Sequence, residues 1–279
     1  MPSSPHITAA PIARKAPGQD PYAWLQERDS SDVLDYLKAE NAWQEAQLAD
    51  QQALRETLFD HCDLTGALLS GAQLRHAVFH RCILDHADLR QAQLQGATFA
   101  DCFLGHAQLA DSALGMTKFS GSDLSHSSLH GAVLDGTLFT RCKLLDANAD
   151  QTEWRHVVWT ACDLTAMTWS GARWTRVVFH ETPLPAKDFS GLVLEGCQFT
   201  ACDLSGSRFV GARLAQCNFQ SARLGGADFS NAQAPHALFC EAQGEGVGGV
   251  DLRGADTAVA QQAQIGAARD EAGKLSAGA

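Results

Sequence analysis

Bulky apolar residues recur at every fifth position from Phe59 to Phe239, and the register never slips. Of the 37 positions on this comb, 19 are Leu, 12 are Phe and 4 are Trp, and only Ala149 and Ala234 are small. Twelve of the chain's 13 Phe residues lie on it, so composition alone does not place them there. An amphipathic helix needs a period near 3.6 and a strand a period of 2. A five-residue comb fits neither, so the chain has to turn a corner in every repeat.

A second comb runs two residues ahead of the first, from Cys62 to Ala237, and 31 of its 36 positions are Ala, Cys, Ser or Thr. Small residues at a fixed phase read as inward fillers. Eight of the nine cysteines sit on this comb, namely Cys62, Cys82, Cys102, Cys142, Cys162, Cys197, Cys202 and Cys217. With no C-x-x-C pair, they read as small apolar core residues rather than as a metal or redox site.

Stretches such as CDLTGALLSGAQL, ADLRQAQLQGATF and CDLSGSRFVGARL resemble the pentapeptide repeat family over about residues 59–242. The resemblance implies a mostly β, right-handed quadrilateral parallel β-solenoid with four repeats per coil and both combs pointing inward. A spacing of 20 supports the four sides independently. Phe59, Phe79, Phe99, Phe119, Phe139, Trp159, Phe179, Phe199, Phe219 and Phe239 form an aromatic column, and Leu64 to Leu224 form an all-leucine one. At ~4.8 Å per hydrogen-bonded strand, about nine coils make a rod on the order of 45 Å long.

The flanks differ in character. Residues 1–19 read as a disordered N-terminus. Residues 20–58 read as a helical cap, with Ser30 or Ser31 at its start and Val33, Leu34, Leu37, Trp43 and Leu48 as apolar contacts. The stretch DPYAWLQERDSSDVLDYLKAENAWQEAQL, residues 20–48, resembles the N-terminal start of the prolyl oligopeptidase and oligopeptidase B family. No serine stands in a G-x-S-x-G setting and the chain is too short for that family's catalytic domains, so no peptidase activity is expected. Beyond residue 242 the comb breaks at GEGVGG and resumes in a shifted frame at Leu252. Residues 243–257 therefore read as an irregular terminal coil and 258–279 as an Ala/Gln-rich tail.

The net charge of -11 argues against a sequence-independent grip on nucleic acid. With no apolar run of ~18 residues and no apolar leader, the sequence reads as cytoplasmic, with no membrane partner. There is no H-E-x-x-H, no P-loop and no G-x-G-x-x-G that opens a helix. The chain is expected not to be an enzyme, with no catalytic residues, no cofactor and no metal.

Two places stand out as sites. The five exceptions in the small comb, Val157, Met167, Val177, Lys187 and Leu192, cluster near Trp154, Trp169 and Trp174 and the pair Pro183 and Pro185. Lys187 does not suit an apolar interior, so the backbone near ETPLPAKDF is expected to bulge outward. Trp154, Trp169, Trp174 and Lys187 are then the candidate partner surface, the alternative being a distorted but purely structural coil. The second place is His86, His106 and His126, spaced by 20 with Asp146 next in line. They read as a surface column that stacked imidazoles could turn toward a transition metal.

The expected function is a non-catalytic scaffold that binds an unknown protein partner. By resemblance to some members of the family, this extends to an association with type VI secretion. A flat C-terminal coil would allow an end-to-end homodimer. Two alternatives are a DNA mimic that binds DNA gyrase, as in the quinolone-resistance members, and an inactive, truncated prolyl oligopeptidase-like fusion. For the mimic, residues 59–242 carry 18 acidic and 13 basic groups, and the arginines interrupt any phosphate-like stripe.

Overall fold

Thirty-eight corner residues, one every five positions from Glu56 to Glu241, have positive φ in the computed structural model, which describes residues 54–243. Twelve of them are glycine and none is β-branched, as the left-handed region demands. At many corners the next residue's N–H bonds back across the turn, as from Ala67 to Leu64 O at 3.0 Å and from Ala72 to Leu69 O at 3.1 Å. A positive φ at the third residue of such a turn re-aims the chain. The turn is therefore written into each repeat.

The short segments between corners pair with segments 20 residues on, always in parallel. One sheet has seven strands, in the order β1 (Leu58–Asp60), β2 (Val78–His80), β3 (Thr98–Ala100), β4 (Lys118–Ser120), β6 (Leu138–Thr140), β8 (Val158–Thr160) and β10 (Val178–His180). Single bridges through Gln198, Asn218 and Leu238 carry this side onward. A second sheet joins β5 (Val133–Asp135), β7 (Glu153–Arg155), β9 (Arg173–Thr175) and β11 (Val193–Glu195). The other two sides are held by isolated bridges such as Asp63↔Ile83 and Leu68↔Asp88. The protein is thus a four-sided parallel β-solenoid, in the register expected from the spacing of 20.

Both combs point inward and are buried almost throughout. Phe59, Phe79, Phe99, Phe119 and Phe139 stack at centroid distances of 4.6–4.9 Å, one coil apart, and Trp159 continues the stack at 3.9 Å. Among the described residues no ring contact joins Trp159 to Phe179, and stacking resumes from Phe179 to Phe199 at 5.4 Å. The small comb also satisfies backbone carbonyls inside the rod. Cys82, Cys102, Thr117, Ser122, Thr137 and Ser207 each reach the carbonyl 23 residues earlier, at 2.6–3.3 Å. All nine cysteines are free, and burial pushes the Cys102 thiol up to about 11 and that of Cys202 up to about 12.

The chain divides into two compact units, Met1–Ala53 and Leu54–Ala279, and every described residue belongs to the second. The shifted frame at Leu252 and the Ala/Gln-rich tail lie outside the described residues, as does the helical cap up to residue 53, whereas its last five residues, 54–58, make a turn that leads into β1 at Leu58 and not an α-helix. Among the described residues no helix is long and apolar enough to cross a membrane.

Candidate functional site

The tryptophans of the irregular zone are not on the surface. Trp154 and Trp174 are 0% and 1% exposed and stack at 4.4 Å, while Trp169, 3% exposed, meets Trp174 edge-on at 5.4 Å. All three occupy inward comb positions, so burial of a large ring decides their direction. The expectation that they form a partner surface is therefore corrected, because a partner cannot touch them without unfolding the coil. The enlarged fillers Val157, Met167, Val177 and Leu192 are buried beside them.

Lys187 also departs from expectation, since its side chain turns inward rather than being carried out on a bulge. Its ammonium bonds the carbonyl of Leu164 and lies 5.2 Å from the centroid of the Trp169 ring. Leu164 precedes Lys187 by 23 residues, so the amine takes the acceptor that a hydroxyl or thiol takes in regular coils. Desolvation lowers the Lys187 pKa, and the nearby Asp163 charge only partly opposes this.

Around Lys187 the backbone ladder opens. In regular coils Leu144 N–H bonds Asp163 O at 2.8 Å, Asp146 bonds Thr165 O at 3.1 Å, and Ala149 bonds Thr168 O at 2.8 Å. One coil later, among the described residues, the N–H groups of Leu164, Ala166 and Trp169 have no such partner. Asp188 O, which would accept from the Trp169 backbone, accepts from the Trp169 indole at 2.7 Å instead. Pro183 contributes by having no N–H to give the preceding coil. The opening covers two sides only, since β8–β10 and β9–β11 remain paired.

The result is a cleft of about 390 Å³ lined by Asp163, Thr165, Met167, Pro183, Pro185 and Lys187, among others. Thr165 donates from its hydroxyl to Asp163 Oδ1 at 2.6 Å and from its N–H at 3.0 Å, which holds that carboxyl below the usual range. A carboxylate, a partly buried amine and Ala166, whose backbone N–H is unpaired, thus line one slot, and the unpaired N–H groups of Leu164 and Trp169 belong to the same opened stretch. Of these, sequence reasoning singled out Lys187 and noted the two prolines. It missed Asp163 and Thr165 because nothing in their repeat departs from the pattern.

The histidine column stacks as the spacing of 20 predicts. The rings of His86, His106 and His126 lie 4.8 Å apart with interplanar angles of 3° and 8°. Nitrogen lone pairs lie in the ring plane, so parallel rings stacked in this way present them side by side and do not converge on one ion. His126 instead pairs with Asp146 at 3.8 Å.

This geometry agrees with comparison to known proteins. The model for the pentapeptide repeat region matches residues 53–129 and 172–248, and a second model, for pentapeptide repeats, matches residues 117–152. The chain belongs to the pentapeptide repeat family. Residues 7–64 are similar to the N-terminal beta-propeller domain of prolyl oligopeptidase, and the described part of that stretch, from residue 54, enters the solenoid through β1. Similar solved structures include HetL and Rfr23, both pentapeptide repeat proteins, and QnrB1. HetL, involved in heterocyst differentiation regulation in the cyanobacterium Nostoc sp. strain PCC 7120, is 28% identical over 68% of this chain and 85% of its own, with a TM-score of 0.32. QnrB1, a plasmid-mediated fluoroquinolone resistance protein, is 18% identical over 72% and 88%, at 0.31. Rfr23 from the cyanobacterium Cyanothece 51142 is 17% identical over 46% and 85%, at 0.30. No curated protein matches the sequence. Pentapeptide repeat proteins are in general structural rather than catalytic.

Proposed function

We propose that this pentapeptide repeat protein is a non-catalytic scaffold that binds a protein partner on the side of the solenoid holding the opened coil. The observation that carries this reading is the break in the ladder between Leu164–Trp169 and Pro183–Asp188. It leaves backbone N–H groups unpaired beside a cleft, where an extended segment of a partner can pair with them. The same side carries Phe103, which is 55% exposed, with Ile83 bridged to it one coil earlier and Leu145 nearer the cleft. Apolar side chains exposed along one flat side, next to a slot with unsatisfied backbone groups, suit a protein surface better than a phosphate backbone.

The test compares partners captured from native lysate by the full chain, by Lys187→Glu and by Phe103→Asp. The reading expects one protein that is retained by the parent and lost from both variants while their circular dichroism is unchanged. Retention by all three would contradict it. Capture of DNA gyrase, with inhibition of supercoiling, would favour the DNA-mimic alternative instead.

A further inference from the structure

At the first coil three side chains converge on one point. His80 Nδ1 lies 2.7 Å and His61 Nδ1 2.9 Å from the same oxygen, Asp60 Oδ1. One ligand atom from each of the three residues lies within 4.8 Å of the other two. The two imidazoles stand at 85° to each other with centroids 5.7 Å apart, the opposite of the parallel histidine column. Both Nδ1 atoms face the same carboxylate oxygen, so the three donor atoms share one position, which the stacked column does not offer.

We propose that Asp60, His61 and His80 form a binding site for a divalent transition ion of the zinc type. Two imidazole nitrogens and one carboxylate oxygen are the donor set such ions favour, whereas calcium and magnesium select all-oxygen sites. The backbone organises these donors before any ion arrives. Asp60 and His80 are register partners in the β1–β2 pair, and His61 N–H bonds His80 O at 2.9 Å. His61 occupies a corner at φ 52°, which turns its ring back toward the strand that precedes it.

The dimensions suit the ion. In a tetrahedral site with bonds of about 2.0 Å, neighbouring ligand atoms lie roughly 3.3 Å apart. The two nitrogen–oxygen separations, 2.7 and 2.9 Å, need to open by about 0.4–0.6 Å, and the two nitrogens already lie within 4.8 Å of each other. The side chains are 39% to 58% exposed, so they are free to make that adjustment and leave positions open for water or a further ligand. Bound there, the ion would clamp the first coil to the second at the start of the described solenoid.

The experiment titrates the tag-free full chain with zinc chloride by isothermal calorimetry and follows the melting temperature in parallel. One zinc per chain is expected, with a raised melting temperature. Affinity should fall about tenfold or more in His61→Ala, His80→Ala and Asp60→Asn, and remain unchanged in His106→Ala from the stacked column. Asp60→Asn keeps shape and size, so it decides the matter if an alanine variant fails to fold. No binding, binding unaffected by the three substitutions, or equal loss in His106→Ala would overturn the proposal.

Discussion

Lys187 donates through its ammonium to the carbonyl of Leu164, the acceptor that Ser207 serves one coil later through its hydroxyl to Leu184 at 2.8 Å. A long charged side chain thus occupies a position built for a small one. The solenoid accommodates it by opening two of its sides, while the hydrogen bond inside the rod keeps its place in the register.

Replacing this lysine by threonine should keep the bond and remove the buried charge. Lys187→Thr is expected to be more stable at neutral pH, by on the order of 1 kcal/mol, in urea unfolding. The pH dependence has a definite sign. The folded pKa lies below the ordinary value of 10.5, so the unfolded chain binds more protons between the two. Parent stability therefore gains a contribution as pH rises from the lowered folded value toward 10.5, and Lys187→Thr lacks that contribution.

The buried tryptophans make a second case. The indole nitrogens of Trp154, Trp159 and Trp174 are buried with no hydrogen-bond partner. Trp174→Ala should lose about 3–5 kcal/mol by leaving a cavity. Trp174→Phe should stay within about 1.5 kcal/mol of the parent, because the unpaired N–H disappears as some packing is lost. Denaturant midpoints of the two variants provide the comparison.

A corner substitution tests the turn geometry. Arg141 is exposed at φ 53°, where a β-branched residue is strained and glycine is not. Arg141→Ile should destabilise by about 1–2 kcal/mol, and Arg141→Gly should be neutral or stabilising. Equal effects in thermal unfolding would count against this account of the corner.

Thiol reactivity reports on the cysteine comb. Cys62 and Cys240 are half-buried, and the other seven cysteines are buried. A chromogenic disulfide reagent should therefore titrate two thiols quickly in the native protein and the remaining seven only after denaturation.

Much of this was legible in the sequence because inward positions are filled by volume and volume repeats visibly. The combs set burial, and the spacing of 20 set the register that pairs Phe59 with Phe79. The corners were legible too, had the absence of β-branched residues at every fifth position been weighed. The direction of Lys187 was not, because its charge argued for solvent while the Leu164 carbonyl and the Trp169 ring that receive it lie about one coil away. Trp154, Trp169 and Trp174 were misread as surface because the enlarged fillers around them suggested a distorted coil, although their phase on the comb already placed them inside. The Asp60–His61–His80 cluster was hidden for a similar reason, since one of its members is a coil away from the other two.

Amide hydrogen exchange at residue resolution tests the opened coil most directly. Leu164, Ala166 and Trp169 should exchange far faster than Leu144, Asp146 and Ala149, which hold the same positions one coil earlier and donate to the ladder. Equal protection of the two sets would mean that the coil is closed, and the cleft and its proposed role would fall with it.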